Sequence, residues 1–273
     1  MGLIPVPITG SSNTMTDGKF SLEAYLERIG YFQKPDTSEE TLKDLHMAHT
    51  MSVPFENLDV FYKKPVLLDE ASLFEKIVNK RRGGYCFEMN GIFSIALKKI
   101  GFRVTDLLAR VNIDGINFTA KTHQALMVEA GGKNWLADVG FGNDGILAPL
   151  LLEKDMEHVQ FAHTYRITGH PEFGLELQKK AGEAWNRLYV FKRDKCRPED
   201  FIMSNHFTST FPESFFIMMR MCTMPTKEGR ITLTDKEFKI TENGNVSIKP
   251  INGDDEFNAL LKEYFKIDPD SAR

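Results

Sequence analysis

The sequence predicts an α+β protein in which helices come first and antiparallel strands follow. Apolar residues recur at helical spacing from residue 19 to about residue 100. From residue 102 the apolar period shifts towards two, and glycines break the short apolar runs. The last segment mixes both patterns. We therefore expect a helical part (residues 15–101), an antiparallel β part (102–204) and an α/β part (205–273).

The helical part follows a segment that we exclude from the fold. Residues 1–14 lack helical or strand periodicity and the features of a signal peptide, so we interpret them as an appended expression leader. A first helix is predicted from Ser21. A second begins at residues 37–40, which have the spacing of a capping box, and Pro54 ends it. A third helix is predicted around residues 72–78.

The β part and the final segment have equally clear patterns. Strands are predicted for residues 165–168, 175–177 and 188–191. In the last segment, Asn243-Gly244 separates two apolar runs and predicts a tight hairpin. Residues 256–265 have the apolar periodicity of an amphipathic helix.

Composition limits the classes of function. The chain has 273 residues, 42% of them hydrophobic, which is enough to bury a substantial core. A formal net charge of −4 argues against nucleic acid or an anionic membrane as the main partner. No apolar run approaches the ~20 residues of a membrane span. Three cysteines far apart in sequence make no disulfide framework and suit a reducing cytoplasm.

One cysteine stands where a glycine turn meets a predicted helix. Residues 81–90 are RRGGYCFEMN, and the helical pattern after Cys86 ends at Gly101, a residue suited to a left-handed cap. In the first helical turn, free backbone N–H groups, the helix dipole and the two neighbouring arginines favour thiolate. A lone cysteine is most often a small buried hydrophobe, so a nucleophile needs a base beside it.

A base and a carboxylate occur downstream. His123 lies in THQALMV, which has the pattern of a strand, and Asp138 lies in LADVGFG, a second strand closed by a glycine loop. The 15-residue separation, broken by Gly131-Gly132, fits two adjacent antiparallel strands that bring the carboxylate beside the imidazole. The sequence therefore predicts a catalytic triad of Cys86, His123 and Asp138.

Two other patterns resemble known motifs, a dinucleotide fingerprint and a metal pair, and both of these interpretations are rejected. The glycines at 140, 142 and 145 match G-x-G-x-x-G, but a dinucleotide fingerprint must open a helix, and residues 146–149 (ILAP) continue in antiparallel surroundings. His46 and His49 have the spacing closest to a metal pair. No cluster of carboxylates or cysteines supports them, so no metal is predicted.

Together, three blocks of the sequence resemble a known family. RGGYCFEMN, THQALMV and LADVGFG are similar in order and spacing to the catalytic blocks of the arylamine N-acetyltransferases, and residues 53–58, 205–216 and 228–233 extend the similarity. The resemblance implies an N-terminal helical bundle, a central antiparallel β-barrel, a C-terminal α/β lid and a papain-like or transglutaminase-like cysteine site.

The family resemblance also implies an activity. It implies a cytoplasmic enzyme that transfers an acetyl group from acetyl-coenzyme A to small aromatic amines or hydrazines, with no permanently bound cofactor and no obligate protein partner. Arg82 and Glu56 are expected to form a buried ion pair that holds the turn before the cysteine.

Ligand contacts follow from the same resemblance. The residues expected to contact coenzyme A are Thr119, Gly140, Gly142 and Ser214, and those expected to line the acceptor pocket are Phe55 and Phe141. The glycines also suit plain turns, and phenylalanines are more often core residues. The sequence departs from the family where Phe207 lacks a tyrosine hydroxyl and where Glu213 brings negative charge near the expected phosphates.

Two alternative functions stay open at this level. Papain-like and transglutaminase-like enzymes share the Cys-His-Asp triad, so a cysteine protease or amidase is the leading alternative, and amine-dependent turnover of acetyl-coenzyme A separates the two. A catalytically silent protein that binds an aromatic or coenzyme A ligand is the third hypothesis. It predicts that Cys86 is no more easily alkylated than Cys196 or Cys222.

Overall fold

Helices and two antiparallel sheets make up residues 20–272, the part of the chain that this computed structural model describes. The predicted α+β class is confirmed, with an eight-stranded sheet in the middle of the chain and a five-stranded sheet towards its end. The leader interpretation concerns residues 1–14, which lie outside the described residues. Within residues 20–272, every helix is too short or too polar to cross a membrane.

Short helices build the N-terminal part. They are α1 (Leu22–Ile29), α2 (Glu39–Ser52), α3 (Leu58–Phe61), α4 (Glu70–Phe74), continued by a π-helical turn (Glu75–Asn79), and α5 (Cys86–Ile100), with strand β1 (Phe55–Glu56) between α2 and α3. The capping-box prediction is wrong by one residue, because Ser38 rather than Thr37 caps α2 and accepts the Thr41 N–H at 3.2 Å. Asp36 favours this cap, since its carboxylate accepts both the Ser38 and the Thr41 hydroxyl.

Helix α5 is the centre of the helical core. Phe93 of α5 is fully buried against residues of α1, α2 and the large sheet, among them Tyr25, Leu42 and Val128. The helix ends at Gly101, whose φ of 115° gives the predicted left-handed cap. This packing fixes the position of the N-terminus of α5 relative to the sheet.

The large sheet is nearly closed. Its strands are β2 (Arg103–Asn112), β3 (Phe118–Ala130), β4 (Lys133–Ala137), β5 (Leu150–Leu151), β6 (Glu157–Gln160), β7 (His163–His170), β8 (Gly174–Ala181) and β9 (Ala184–Phe191), in the order β5-β4-β3-β2-β9-β8-β7-β6. At the end of edge strand β6, the Gln160 side chain hydrogen-bonds to the backbone of Leu147 and Ala148, just before the other edge strand. The expected antiparallel barrel is confirmed.

The final segment joins back to the N-terminal part. Its elements are α6 (Pro198–Thr210), α7 (Phe215–Met218), β10 (Met221–Pro225), β11 (Gly229–Thr234), β12 (Glu237–Glu242), β13 (Asn245–Pro250), α8 (Asp254–Phe265) and α9 (Pro269–Ala272). The predicted hairpin is present, with Asn243 and Gly244 both at positive φ. Strand β1 pairs with β10, and helix α6 spans the expected division between residues 204 and 205.

Candidate active site

The N-terminus of α5 places Cys86 against the open end of the β3–β4 hairpin. Pairing between these strands extends to Leu126 and Ala137, and Asp138 follows as the first residue after β4. His123 Nε2 lies 2.7 Å from Asp138 Oδ2. The Cys86 thiol points to the carbonyl of the residue before His123, with a sulfur–oxygen distance of 3.7 Å. The structure thus brings together the three side chains that the sequence predicted as a triad.

Burial and charge set the protonation of this site. Cys86, His123 and Asp138 are 4%, 3% and 1% exposed. Burial lowers the pKa of His123, but the charge of Asp138, its hydrogen bond and the neighbouring Cys86 outweigh burial and raise the pKa to about 10. Burial raises the pKa of Asp138, whereas His123 and two further hydrogen bonds lower it below the usual value. At neutral pH the pair is therefore an imidazolium and a carboxylate.

Asn90, a residue that the sequence analysis missed, holds the carboxylate from α5. Its Nδ2 donates to Asp138 Oδ1 at 2.8 Å and to the Gln124 carbonyl at 2.7 Å. Its Oδ1 accepts the Val139 N–H at 3.0 Å. Asn90 lies four residues after Cys86, and this helical spacing places both on one face, which is the sequence signal that identifies it.

His46 of α2 reaches the same aspartate from the opposite side. Its Nε2 accepts the backbone N–H of Asp138 at 3.1 Å, and its Nδ1 lies 3.2 Å from the Leu147 carbonyl. His49 turns away, with Nδ1 2.8 Å from the Tyr25 hydroxyl. The histidine pair that resembled a metal site thus divides between the triad and the helical core.

Gly140 lets the loop after β4 approach the nucleophile helix. A Cβ at this position would lie 2.8 Å from the Cys86 Cα and 2.8 Å from the Asn90 amide nitrogen. Gly142 has a φ of +84° and lies against the Phe55 ring. The next element is the short strand β5 rather than a helix, which agrees with rejecting a dinucleotide fingerprint.

Aromatic rings surround the imidazole of His123. The Phe141 ring meets it edge-on at a centroid distance of 5.1 Å, and the Tyr189 ring lies at 5.0 Å. Burial and the charge of Asp138 raise the pKa of Tyr189 well above its usual value, so its phenol keeps its proton. On the other side of the loop, the ring centroids of Phe55 and Phe216 of α7 are 6.1 Å apart.

The turn before Cys86 is fixed by a buried charge cluster. Arg82 Nη2 lies 2.7 Å from Glu56 Oε1 and 3.0 Å from Asp59, which gives the expected buried ion pair a third member. Lys76 Nζ lies 2.6 Å from Glu88 and 2.7 Å from Asp59. Burial lowers the pKa of both cations, but the carboxylates raise it above the usual values, so both stay charged.

Comparison with known proteins identifies the family of this chain. A statistical model of the N-acetyltransferase family matches residues 39–272. The sequence is 34% identical over 256 residues to the arylamine N-acetyltransferase of Escherichia coli K12, and the match covers 92% of this chain and 90% of that protein. The chain belongs to the arylamine N-acetyltransferase family.

Solved structures of arylamine N-acetyltransferases have the same fold. The enzyme of Salmonella typhimurium superposes with a TM-score of 0.86 at 33% identity, covering 90% of each chain. The Mycobacterium marinum enzyme in complex with CoA gives a TM-score of 0.87 at 32% identity, covering 93% of this chain and 95% of that one.

The family resemblance implied that the hydroxyls of Thr119 and Ser214 contact coenzyme A. In this structure both hydroxyls form hydrogen bonds with other groups of the protein. Thr119 Oγ1, on β3, accepts the Val111 N–H at 3.0 Å and lies 2.9 Å from Thr122 Oγ1. Ser214 Oγ, in the turn between α6 and α7, donates to the Thr208 carbonyl at 2.6 Å. A ligand at either hydroxyl would share or replace these bonds.

Proposed function

We propose that the chain transfers an acetyl group from acetyl-coenzyme A to the nitrogen of an arylamine or arylhydrazine, through a covalent acetyl-Cys86 intermediate and by ping-pong kinetics. The observation that carries the proposal is the buried Cys86–His123–Asp138 arrangement, with its 2.7 Å contact between imidazole and carboxylate. The names of the relatives support arylamine acceptors, and the M. marinum complex supports coenzyme A as the carrier.

In the first half-reaction, Cys86 is acetylated. His123 holds the Cys86 proton before the attack, so a thiolate lies beside an imidazolium, and Asp138 orients the ring and stabilises its charge. The sulfur attacks the carbonyl carbon of the thioester, with backbone N–H groups at the start of α5 as donors to the oxyanion. The carbon–sulfur bond to coenzyme A then breaks, and its sulfur leaves with the proton from His123, which becomes neutral. One thioester replaces another, so this step runs in both directions.

In the second half-reaction, the amine takes the acetyl group. The arylamine nitrogen attacks the carbonyl carbon of acetyl-Cys86, the amide forms, and the Cys86 thiolate leaves as His123 accepts the nitrogen-bound proton. Water competes with the amine at this stage. Phe55 and Phe141 supply the apolar surroundings that disfavour hydrolysis and receive an aromatic ring.

Mass spectrometry of the intact protein tests the covalent route. Brief incubation with acetyl-coenzyme A should add about 42 Da, one acetyl group for one hydrogen. Addition of 5-aminosalicylate should remove the adduct and yield its N-acetyl product. Cys86→Ala should abolish the adduct, and Cys196→Ala, which removes a half-buried thiol outside the triad, should retain it.

Absence of an adduct, together with hydrolysis of peptides or simple amides, would overturn the proposal in favour of a cysteine hydrolase. N-hydroxylated arylamines belong in the same assay, because the S. typhimurium relative, 35% identical over 250 residues, is also named an N-hydroxyarylamine O-acetyltransferase. The cytoplasmic location, the three-part division of the chain and the lack of an obligate partner stay predictions.

A further inference from the structure

Strand β4 stops pairing with both of its neighbours, β3 and β5, just before Asp138. On one side, β3 and β4 pair as far as Leu126 and Ala137. On the other side, the pairing of β4 with β5 reaches only as far as Leu136 and Leu150 in the direction of Asp138. The peptide groups that follow β4 therefore need partners from outside the sheet.

At each of these two places, one side chain lies between the separated backbones and hydrogen-bonds to both. Between β3 and β4, the Asn90 amide joins the Val139 N–H to the Gln124 carbonyl, at 3.0 and 2.7 Å. Between β4 and the segment before β5, the His46 ring joins the Asp138 N–H to the Leu147 carbonyl, at 3.1 and 3.2 Å. Each side chain supplies one acceptor and one donor, as the missing peptide group would.

This role requires one form of the His46 ring. Nδ1 must carry a proton to donate to the Leu147 carbonyl, and Nε2 must keep its lone pair to accept from Asp138. Burial lowers the pKa of His46 to about 4, although nearby hydrogen bonds and the Asp138 charge oppose the shift. The ring is therefore neutral at physiological pH, and its two hydrogen bonds select a single tautomer.

We propose that His46 is a positioning residue of the triad. It fixes the main chain of Asp138 by joining the Asp138 N–H to the Leu147 carbonyl, where β4 and the segment before β5 no longer pair directly. The inference rests on the proposed function, because it assigns His46 a part in making Cys86 reactive. The Asp138 carboxylate already contacts His123, Asn90 and the Gly140 N–H. A main-chain shift at Asp138 would move all of these contacts together.

Two amide variants, each of which reproduces the position of one ring nitrogen, separate the two hydrogen bonds of His46. In His46→Gln, the amide oxygen reaches the position of Nε2 and can still accept from Asp138. In His46→Asn, the shorter amide reaches only the position of Nδ1 and can bond only to Leu147. The reactivity of Cys86 is read from its rate of alkylation by iodoacetamide at pH 7, with Cys86→Ala as the background.

We expect His46→Gln to stay within about threefold of the wild-type alkylation rate. His46→Asn should slow it roughly 10- to 100-fold, because a displacement of about 1 Å costs up to about 100-fold in rate. The matched control is His49, which is as deeply buried on the same helix but bonds to Tyr25. His49→Asn should lower the melting temperature without slowing alkylation in the folded protein.

Equal alkylation rates for His46→Gln and His46→Asn would overturn the proposal, as would equal slowing in His49→Asn. Nitrogen-15 NMR of the wild-type imidazole gives a test that does not depend on folded variants, and a protonated Nε2 on His46 at pH 7 would also refute it. Alkylation needs neither acetyl-coenzyme A nor an amine. A wild-type protein that alkylates rapidly but forms no acetyl adduct would therefore refute the acetyl transfer and leave the role of His46 standing.

Discussion

The two histidines that contact Asp138 differ in charge at neutral pH. Both are buried, and burial lowers the pKa of each. His123 faces the carboxylate, which raises its pKa to about 10, whereas His46 faces the backbone N–H of the same residue and has a pKa of about 4. One aspartate thus holds a cation with its side chain and a neutral acceptor with its main chain.

Replacing Asp138 with Asn should remove the positive charge of His123 at neutral pH. Burial then acts without a carboxylate to oppose it, so the pKa of His123 should fall from about 10 to below about 6.5, the ordinary histidine value. Acetyl transfer should fall by roughly 10³- to 10⁴-fold, as expected when a triad loses its charge partner. Proton NMR titration of the imidazole and initial rates measure the two effects.

The same variant tests the pH dependence of stability. In the wild type, the raised pKa of His123 contributes stability that is complete below about pH 6.5 and is lost as the pH rises through about 10. In urea unfolding, Asp138→Asn should not show this decrease in stability at alkaline pH. Asp144→Asn, which removes an exposed carboxylate from the same loop, should retain it. Identical alkaline profiles for wild type and Asp138→Asn would contradict the assignment.

At the residue scale, the sequence predicted those site residues whose positions follow from a nearby helix start or hairpin. Cys86 follows from a helix start, and His123 and Asp138 follow from one hairpin. His46 was considered only as half of a metal pair, because its contact with Asp138 spans 92 residues and the end of strand pairing has no sequence pattern. The hydrogen bond from Asn90 to Asp138 joins residues 48 apart in sequence and was not predicted. The four-residue spacing of Asn90 from Cys86 was the one signal for it in the sequence.

At the scale of elements, the site depends on contact between α5 and the loop after β4. Gly140→Ala would place a Cβ 2.8 Å from the Cys86 Cα, a contact that neither backbone can avoid without moving. We expect a loss of about 1–3 kcal/mol of unfolding free energy from overpacking. Acetyl-Cys86 formation should slow by roughly 10- to 100-fold, because the nucleophile and Asp138 separate.

Gly169→Ala is the matched control for this substitution. Gly169 is exposed on β7, and an added Cβ would meet only the flexible end of the Lys154 side chain. Urea unfolding and stopped-flow acetylation should therefore match the wild type. Gly140→Ala with wild-type acetylation kinetics would show that the close approach does not position the nucleophile.

Elements were predicted where a periodic pattern is long enough to detect. Helix α5 and the hairpin at Asn243-Gly244 agree with the sequence. Strand β1 has only two residues and carries no period, so its pairing with β10 was not predictable. Helix α6 runs continuously from Pro198 to Thr210 across the expected division at residue 204, and no local break in the sequence separates its two halves.

At the scale of the whole molecule, the Arg82 cluster connects three distant parts of the chain. Arg82 is 2% exposed, bonds to Glu56 of β1 and donates to the Ser271 carbonyl beyond α8. Arg82→Gln would deprive the buried Glu56 and the partly buried Asp59 of one cation, and we expect a loss of about 3–5 kcal/mol of unfolding free energy. Urea unfolding measures it as a lower midpoint at unchanged slope.

Arg103→Gln supplies the comparison for this loss. Arg103 is 84% exposed and pairs with Glu129 at 3.4 Å, so its removal should change stability by less than about 1 kcal/mol. Similar losses for the two variants would show that the buried cluster contributes no more than a surface pair.

The pairing of β1 with β10 has a consequence for the newly made protein. Phe55, beside the nucleophile turn, finds its strand partner at Thr223, and Arg82 completes its bonds only with Ser271, 189 residues later. A nascent chain that has emerged from the ribosome as far as β9 holds Cys86, His123 and Asp138 but lacks both of these ties. The turn that precedes the reactive thiol therefore gains these two contacts only after the final segment has left the ribosome.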